Sequence, residues 1–81
     1  MAKSIYSAGQ ERLQQLLREL RLEAKLSQTD LSTKLKRPQS FVSKIESGER
    51  RLDFIELRQV CEAIGISLID FVKRFEQADG D

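Results

Sequence analysis

The chain has 81 residues, 40% hydrophobic and 33% charged, with 14 basic and 13 acidic side chains, a net charge of +1, one cysteine and no histidine. That length suits one small domain and not two, and the composition excludes a disordered, collagen-like or membrane-spanning chain. The absence of histidine removes imidazole triads and acid–base chemistry and most zinc sites; no glycine-rich phosphate loop occurs and no carboxylate pair stands out. No catalytic residue, metal ligand or cofactor is therefore expected, and the chain is read as a non-enzyme.

The opening MAKSIYSAGQERLQQLL breaks its apolar residues too often for a secretory signal, which points to the cytoplasm. Ser7 with Gln10 three residues later can cap a first helix, expected over about residues 8–25, with Leu13, Leu16, Leu17, Leu20 and Ala24 at helical spacing. Ser27 and Asp30 repeat the capping pattern before Leu31 and Leu35, and Pro38 ends this second, short helix. A third helix is expected to begin near Pro38 and to close at Gly48, where a left-handed residue can stop it.

Asp53 and Glu56 open a fourth helix through Phe54, Leu57, Val60, Cys61 and Ile64, ending at Gly65. Cys61 lies on that apolar stripe and reads as a small buried hydrophobe. Ser67 and Asp70 then start a last helix rich in Leu68, Ile69, Phe71, Val72 and Phe75. The fold class is all-α: five helices in a single domain over 1–81, with a core at about 8–76.

Charge is unevenly spread. Residues 34–51 hold six basic side chains (Lys34, Lys36, Arg37, Lys44, Arg50, Arg51) against Glu46 and Glu49, a local balance of +4 that leaves −3 for the remainder. Such a patch is the footprint of a nucleic-acid surface, or else plain solubilising charge. On a wheel of about 100° per residue, Gln39, Ser40, Ser43, Lys44 and Ser47 share an arc of roughly 140°, opposite Phe41, Val42 and Ile45, with Glu46 at its border. Gln suits adenine, Lys suits guanine and Ser suits either, so the acid-free face has major-groove chemistry; an ordinary polar surface helix is the alternative. Two short helices joined by a tight turn through Lys36 and Arg37, at about 27–47, have the helix-turn-helix layout.

The segment LSQTDLSTKLKRPQSFVSKIESGERR, with LRQVCEAIGIS downstream, resembles the helix-turn-helix domain of the phage repressor and Cro family, also called the xenobiotic-response-element family. The likeness covers about residues 13–72. It implies a compact five-helix repressor-like DNA-binding domain and base reading by Gln39, Ser40, Ser43 and Lys44. It places Gln28 against a phosphate, bracing the recognition-helix glutamine, and pairs Arg21 with Glu46 as a structural ion pair. Charge and position add Arg37, Ser47, Arg50 and Arg51 as phosphate contacts. The family often has Gly where Lys36 stands, which calls for a different turn or a left-handed lysine. Pro38 replaces the usual polar cap, and Phe41 either touches a thymine methyl or packs under the next loop against Leu52 or Phe54.

One recognition helix reads few base pairs, so a homodimer on a near-palindromic operator is expected. Ile66, Ile69, Val72 and Phe75 are the residues assigned to the partner contact, with packing of the last helix onto Leu13 and Leu16 as the alternative. The functional expectation is a transcription regulator on double-stranded DNA, a repressor by occupancy. Its alternatives are activation through polymerase, an antitoxin-type regulator that also binds a toxin, and a protein-interaction module on the same fold.

Overall fold

The computed structural model of the chain describes residues 8–80, with side chains described through residue 77. Five helices follow one another: α1 (Ala8–Glu23), α2 (Gln28–Lys34), α3 (Ser40–Ser47), α4 (Phe54–Ile64) and α5 (Leu68–Gly80). Their starts are local chemistry. Ser27 Oγ accepts the Asp30 N–H at 2.9 Å while the Asp30 carboxylate accepts the Ser27 N–H at 3.0 Å. Asp53 and Glu56 exchange the same two bonds at the head of α4, and Ser67 Oγ accepts from Asp70 N–H at 3.0 Å before α5. Each closed box satisfies two amides that a helix start would otherwise leave open. The expected Ser7 cap of α1 lies outside the described residues.

Helix ends are less regular. Gly48 and Gly65 adopt the left-handed conformation at φ 87° and 102°, but so do Lys25 and Lys36 at φ 60° and 58°. Lys25 closes α1 short of the expected residue 25: its N–H bonds Leu22 O and the Leu26 N–H reaches back to Arg21 O. Lys36 repeats the pattern after α2, through Lys36 N–H to Thr33 O and Arg37 N–H to Ser32 O. Both are left-handed caps closed by two backbone hydrogen bonds, in which lysine stands where glycine is usual; a positive charge on a residue at the negative helix end offsets part of the strain. The tight turn is thus kept, with lysine adopting the strained conformation.

The third helix begins at Ser40, two residues later than Pro38. Gln39 holds its cap position with helical dihedrals and no side-chain cap bond. The Phe41 N–H bonds Pro38 O at 2.9 Å, so the proline supplies the first turn's acceptor. Ser32, fully buried on α2, joins the two helices: its hydroxyl donates to Gln39 O and accepts the Val42 N–H, both at 3.3 Å.

The core gathers Leu16, Leu17 and Leu20 of α1, Leu31 of α2, Phe41, Val42 and Ile45 of α3, Val60 and Cys61 of α4, and Phe71 of α5. Cys61 is fully enclosed, and burial pushes its thiol up to about 11, so it packs as a neutral small hydrophobe. Phe41 belongs to this core and not to a surface that could meet a base. Phe54, one of its two expected packing partners, is instead 64% exposed. α5 turns one face to α1, with Phe71 buried, the Arg12 guanidinium 5.7 Å above the Phe75 ring and an Arg74–Glu23 ion pair at 3.3 Å.

Because a left-handed lysine is strained where glycine is not, Lys36→Gly should raise unfolding stability by about 0.5–1 kcal/mol. Gly48→Ala should lower it by about 1 kcal/mol, since alanine is strained at φ 87° while the approach of its Cβ to Gln14 Nε2 is relieved by a shift of that flexible side-chain end. Urea unfolding of both variants checks the opposite signs.

Candidate nucleic-acid interface

The orientation of α3 is set from below by one carboxylate. Glu46 Oε2 accepts from Arg21 Nε at 2.7 Å, and Oε1 accepts from Arg21 Nη2 and from Gln28 Nε2, both at 2.9 Å. The remaining Arg21 nitrogen, Nη1, donates to Leu26 O at 2.9 Å. The pair is nearly dry, with side chains 6% and 7% exposed. A planar guanidinium fork matched to a carboxylate fixes direction as well as distance, so α1, the head of α2 and the last turn of α3 are held together. Glu46 thereby points into the body of the protein, off the exposed face of its own helix.

That face carries Gln39, Ser40, Ser43, Lys44 and Ser47, all exposed. Gln28, Thr29, Gln39, Ser40 and Ser43 line one cleft at the joined heads of α2 and α3. Within it, Gln39 Nε2 donates to Thr29 Oγ1 at 3.2 Å. Gln28 therefore does not brace Gln39: its amide is turned inward to Glu46, and Thr29 takes the bracing position. The Ser47 hydroxyl is occupied at the helix end, donating to Lys44 O at 3.1 Å and accepting the Glu49 N–H at 3.4 Å.

A second cleft, on the flank of α3, is lined by Arg37, Pro38, Ser40, Phe41, Lys44 and Arg50. Here two of the three arginines expected at phosphates are already engaged. Arg50 Nη1 and Nη2 meet Glu56 Oε1 and Oε2 at 3.1 and 2.9 Å, and Arg37 Nη2 meets Oε2 at 3.1 Å. Both guanidiniums also lie over the Phe41 ring, 4.5 Å (Arg37) and 4.9 Å (Arg50) from its centroid. The Arg50 bonds, then the Asp53 N–H, draw the Glu56 carboxyl down to about 2; burial opposes this, and the Arg37 bond adds a lesser lowering. Arg51 is exposed on the adjoining loop, and Lys36 is exposed on the turn before α3.

Of the residues assigned to a partner contact, Ile69 and Val72 are exposed at 69% and 44%, whereas Ile66 and Phe75 are half-buried against the core. Sequence reading overlooked Thr29, Ser32 and Glu56. The Asp53–Glu56 capping spacing marked Glu56 as a helix-start residue, and nothing local signalled its arginines. Among the described residues, no group of three or more His, Cys, Asp and Glu could hold a metal ion, and no helix is long and apolar enough to cross a membrane.

This architecture defines a helix-turn-helix protein. A helix-turn-helix family model matches residues 17–71. The XRE-family-like protein from Pseudomonas syringae pv. tomato is 42% identical over 94% of this chain and 93% of its own, with a TM-score of 0.84. The chain therefore belongs to the helix-turn-helix family of the Cro and xenobiotic-response-element type. The wild-type restriction-modification controller protein C.Esp1396I shares the fold at 21% identity, covering 93% of this chain and 99% of its own with a TM-score of 0.85. The same controller protein, as a tetramer on its natural 35 base-pair operator, matches at 22% identity and a TM-score of 0.81 over 88% of this chain and 93% of its own. No curated protein sequence matches.

Removing one member of a dry ion pair strands the other, so Glu46→Ala should cost about 3 kcal/mol. Arg58→Ala, which breaks an exposed pair, should cost less than about 0.5 kcal/mol in the same urea titration. The Glu56 shift has a pH signature. Its folded value lies below its ordinary 4.5, so its contribution is fully present above that value and is lost as pH falls from 4.5 towards about 2. Acid titration of unfolding stability should show a shallower fall in this window for Glu56→Gln than for the parent.

Proposed function

We propose that the chain is a sequence-specific, DNA-binding transcription regulator that represses by occupying a near-palindromic operator as a homodimer in the cytoplasm. The observation that carries this reading is the exposed face of α3, which presents Gln39, Ser40, Ser43 and Lys44 without an acidic side chain while Glu46 is folded away onto Arg21. Family membership and the operator-bound structures of the controller protein support it.

In this mechanism α3 enters the major groove with those four residues against base edges. Arg37, Arg50 and Arg51, the backbone N–H of Gln28 at the head of α2, and Ser47 on exchanging its bond to Lys44 O for one to a phosphate, lie along phosphates and set the register. Repression by occupancy needs no chemistry, so no catalytic role is assigned. Neither a toxin nor polymerase enters the reading, since nothing in the comparisons supports either. Ile69 and Val72 are the exposed centre of the proposed dimer contact, with Ile66 and Phe75 supporting them from the core side.

Gln39→Ala should change sequence preference at one base pair by about 1–3 kcal/mol, whereas Arg51→Ala should weaken all duplexes similarly and flatten the salt dependence. Binding of duplexes enriched from a random pool, titrated against salt, tests both; salt-insensitive or absent binding would overturn the DNA reading. A carboxylate at the centre of an apolar contact is unpaired and desolvated, so Ile69→Asp should shift sedimentation towards monomer and weaken operator binding by tenfold or more, as expected from a hot-spot loss of about 2 kcal/mol.

A further inference from the structure

Glu56 is the feature that a DNA-binding face does not obviously need. It is a carboxylate beside residues proposed to meet phosphates, where its charge by itself opposes association. It is also the most heavily bonded acid on that flank. Two guanidiniums and the Asp53 N–H converge on it, from the turn before α3 and the loop after it. Its side chain is only 15% exposed, and those of its two arginine partners are 35% and 37% exposed. Both arginines also rest on Phe41, the one aromatic of α3, whose ring is anchored in the core.

We propose that Glu56 is a positioning residue for DNA recognition: it holds Arg37 and Arg50 on the Phe41 ring as a preformed phosphate seat flanking α3. This rests on the DNA reading above. The seat shares its cleft with Ser40 and Lys44, two of the proposed base-reading residues. A phosphate held there would fix how α3 sits in the groove. Free arginines lose much of their rotamer freedom on binding, whereas arginines already stacked and bonded have lost it on folding. Arg50 Nη1 also donates to Arg51 O at 3.1 Å; each arginine still keeps guanidinium N–H groups beyond these bonds, because a guanidinium carries five. Contact with the ring limits where each cation can go, and the shared carboxylate ties the two together.

The competing role is simple charge neutralisation, and the two roles differ in sign. Glu56→Gln removes a negative charge while keeping the shape and a side chain able to complete the Asp53 capping box. Pure electrostatics predicts tighter binding to every duplex. Positioning predicts about tenfold weaker binding to the duplex enriched from a random pool by the parent protein, with a shuffled duplex of equal length held as well as before or better. In an Arg37→Ala/Arg50→Ala background the same substitution should change affinity less than about twofold, because Glu56 then has nothing to position.

Arg37→Lys/Arg50→Lys provides a second route that leaves Glu56 and the net charge intact. Lysine cannot reproduce the fork or stack as flatly, so this variant should lose affinity for the enriched duplex and not for the shuffled one. Thermal unfolding confirms that each variant is folded at the assay temperature; should Glu56→Gln not fold, the lysine pair decides. Tighter or unchanged binding of the enriched duplex by Glu56→Gln, an undiminished effect in the double-alanine background, or parent-like binding by the lysine pair would each overturn the positioning role while leaving the DNA reading standing. If the parent enriches no duplex, the DNA reading falls and this inference falls with it.

Discussion

The exposed chemistry of α3 depends on where Glu46 goes. A helix of eight residues with an acid one step from its polar face would present that acid to any polyanion it approached. The Arg21 guanidinium removes it, in a nearly dry, fork-to-fork pair that also captures the Gln28 amide. The cost of desolvating two charges is offset only by good geometry and by satisfying the remaining donors and acceptors. Here Arg21 Nη1 finds the Leu26 carbonyl and both Glu46 oxygens are used. The result is directional: apolar packing of Val42 and Ile45 says which side of α3 faces the core, while the ion pair says how the helix is turned about that contact.

Around this anchor the short elements are fixed by economy of backbone. α2 has seven residues and α3 has eight, lengths at which isolated helices do not persist in water. Their order comes from the closed capping box at Ser27, the left-handed stop at Lys36 and the buried Ser32 hydroxyl, which serves the α3 backbone twice. A lysine at the left-handed stop is a local loss that places a cation beside the proposed interface. The same exchange of stability for charge is made at Lys25.

Helix starts were readable because capping is chemistry between residues three apart: Ser27 with Asp30, Asp53 with Glu56 and Ser67 with Asp70 need no tertiary context. Helix ends were only partly readable, since glycine announces a left-handed stop and lysine does not. The polar face of α3 followed from its helical period. The inner contacts did not. Arg21 and Glu46 are 25 residues apart, and no spacing rule joins them; likeness to a family did. Thr29 reaches Gln39 across ten residues and Arg37 reaches Glu56 across nineteen. Phe41 resembled a surface aromatic with two outlets, and its place under two guanidiniums depends on how the loop after α3 folds back.

By itself, then, the sequence determined the five-helix layout, the apolar stripes that make the core and the acid-free row of Gln39, Ser40, Ser43 and Lys44, because these rest on local periodicity and short-range hydrogen bonds. The tertiary structure decided which charges remain available at the surface. Glu46 is withdrawn onto Arg21, Glu56 is loaded with Arg37 and Arg50, and the last helix keeps Ile69 and Val72 exposed while Ile66 and Phe75 pack inward. The physical reason is that pairing of charges and burial of side chains depend on distance in space, and chain separation carries little of that information once helices pack against one another.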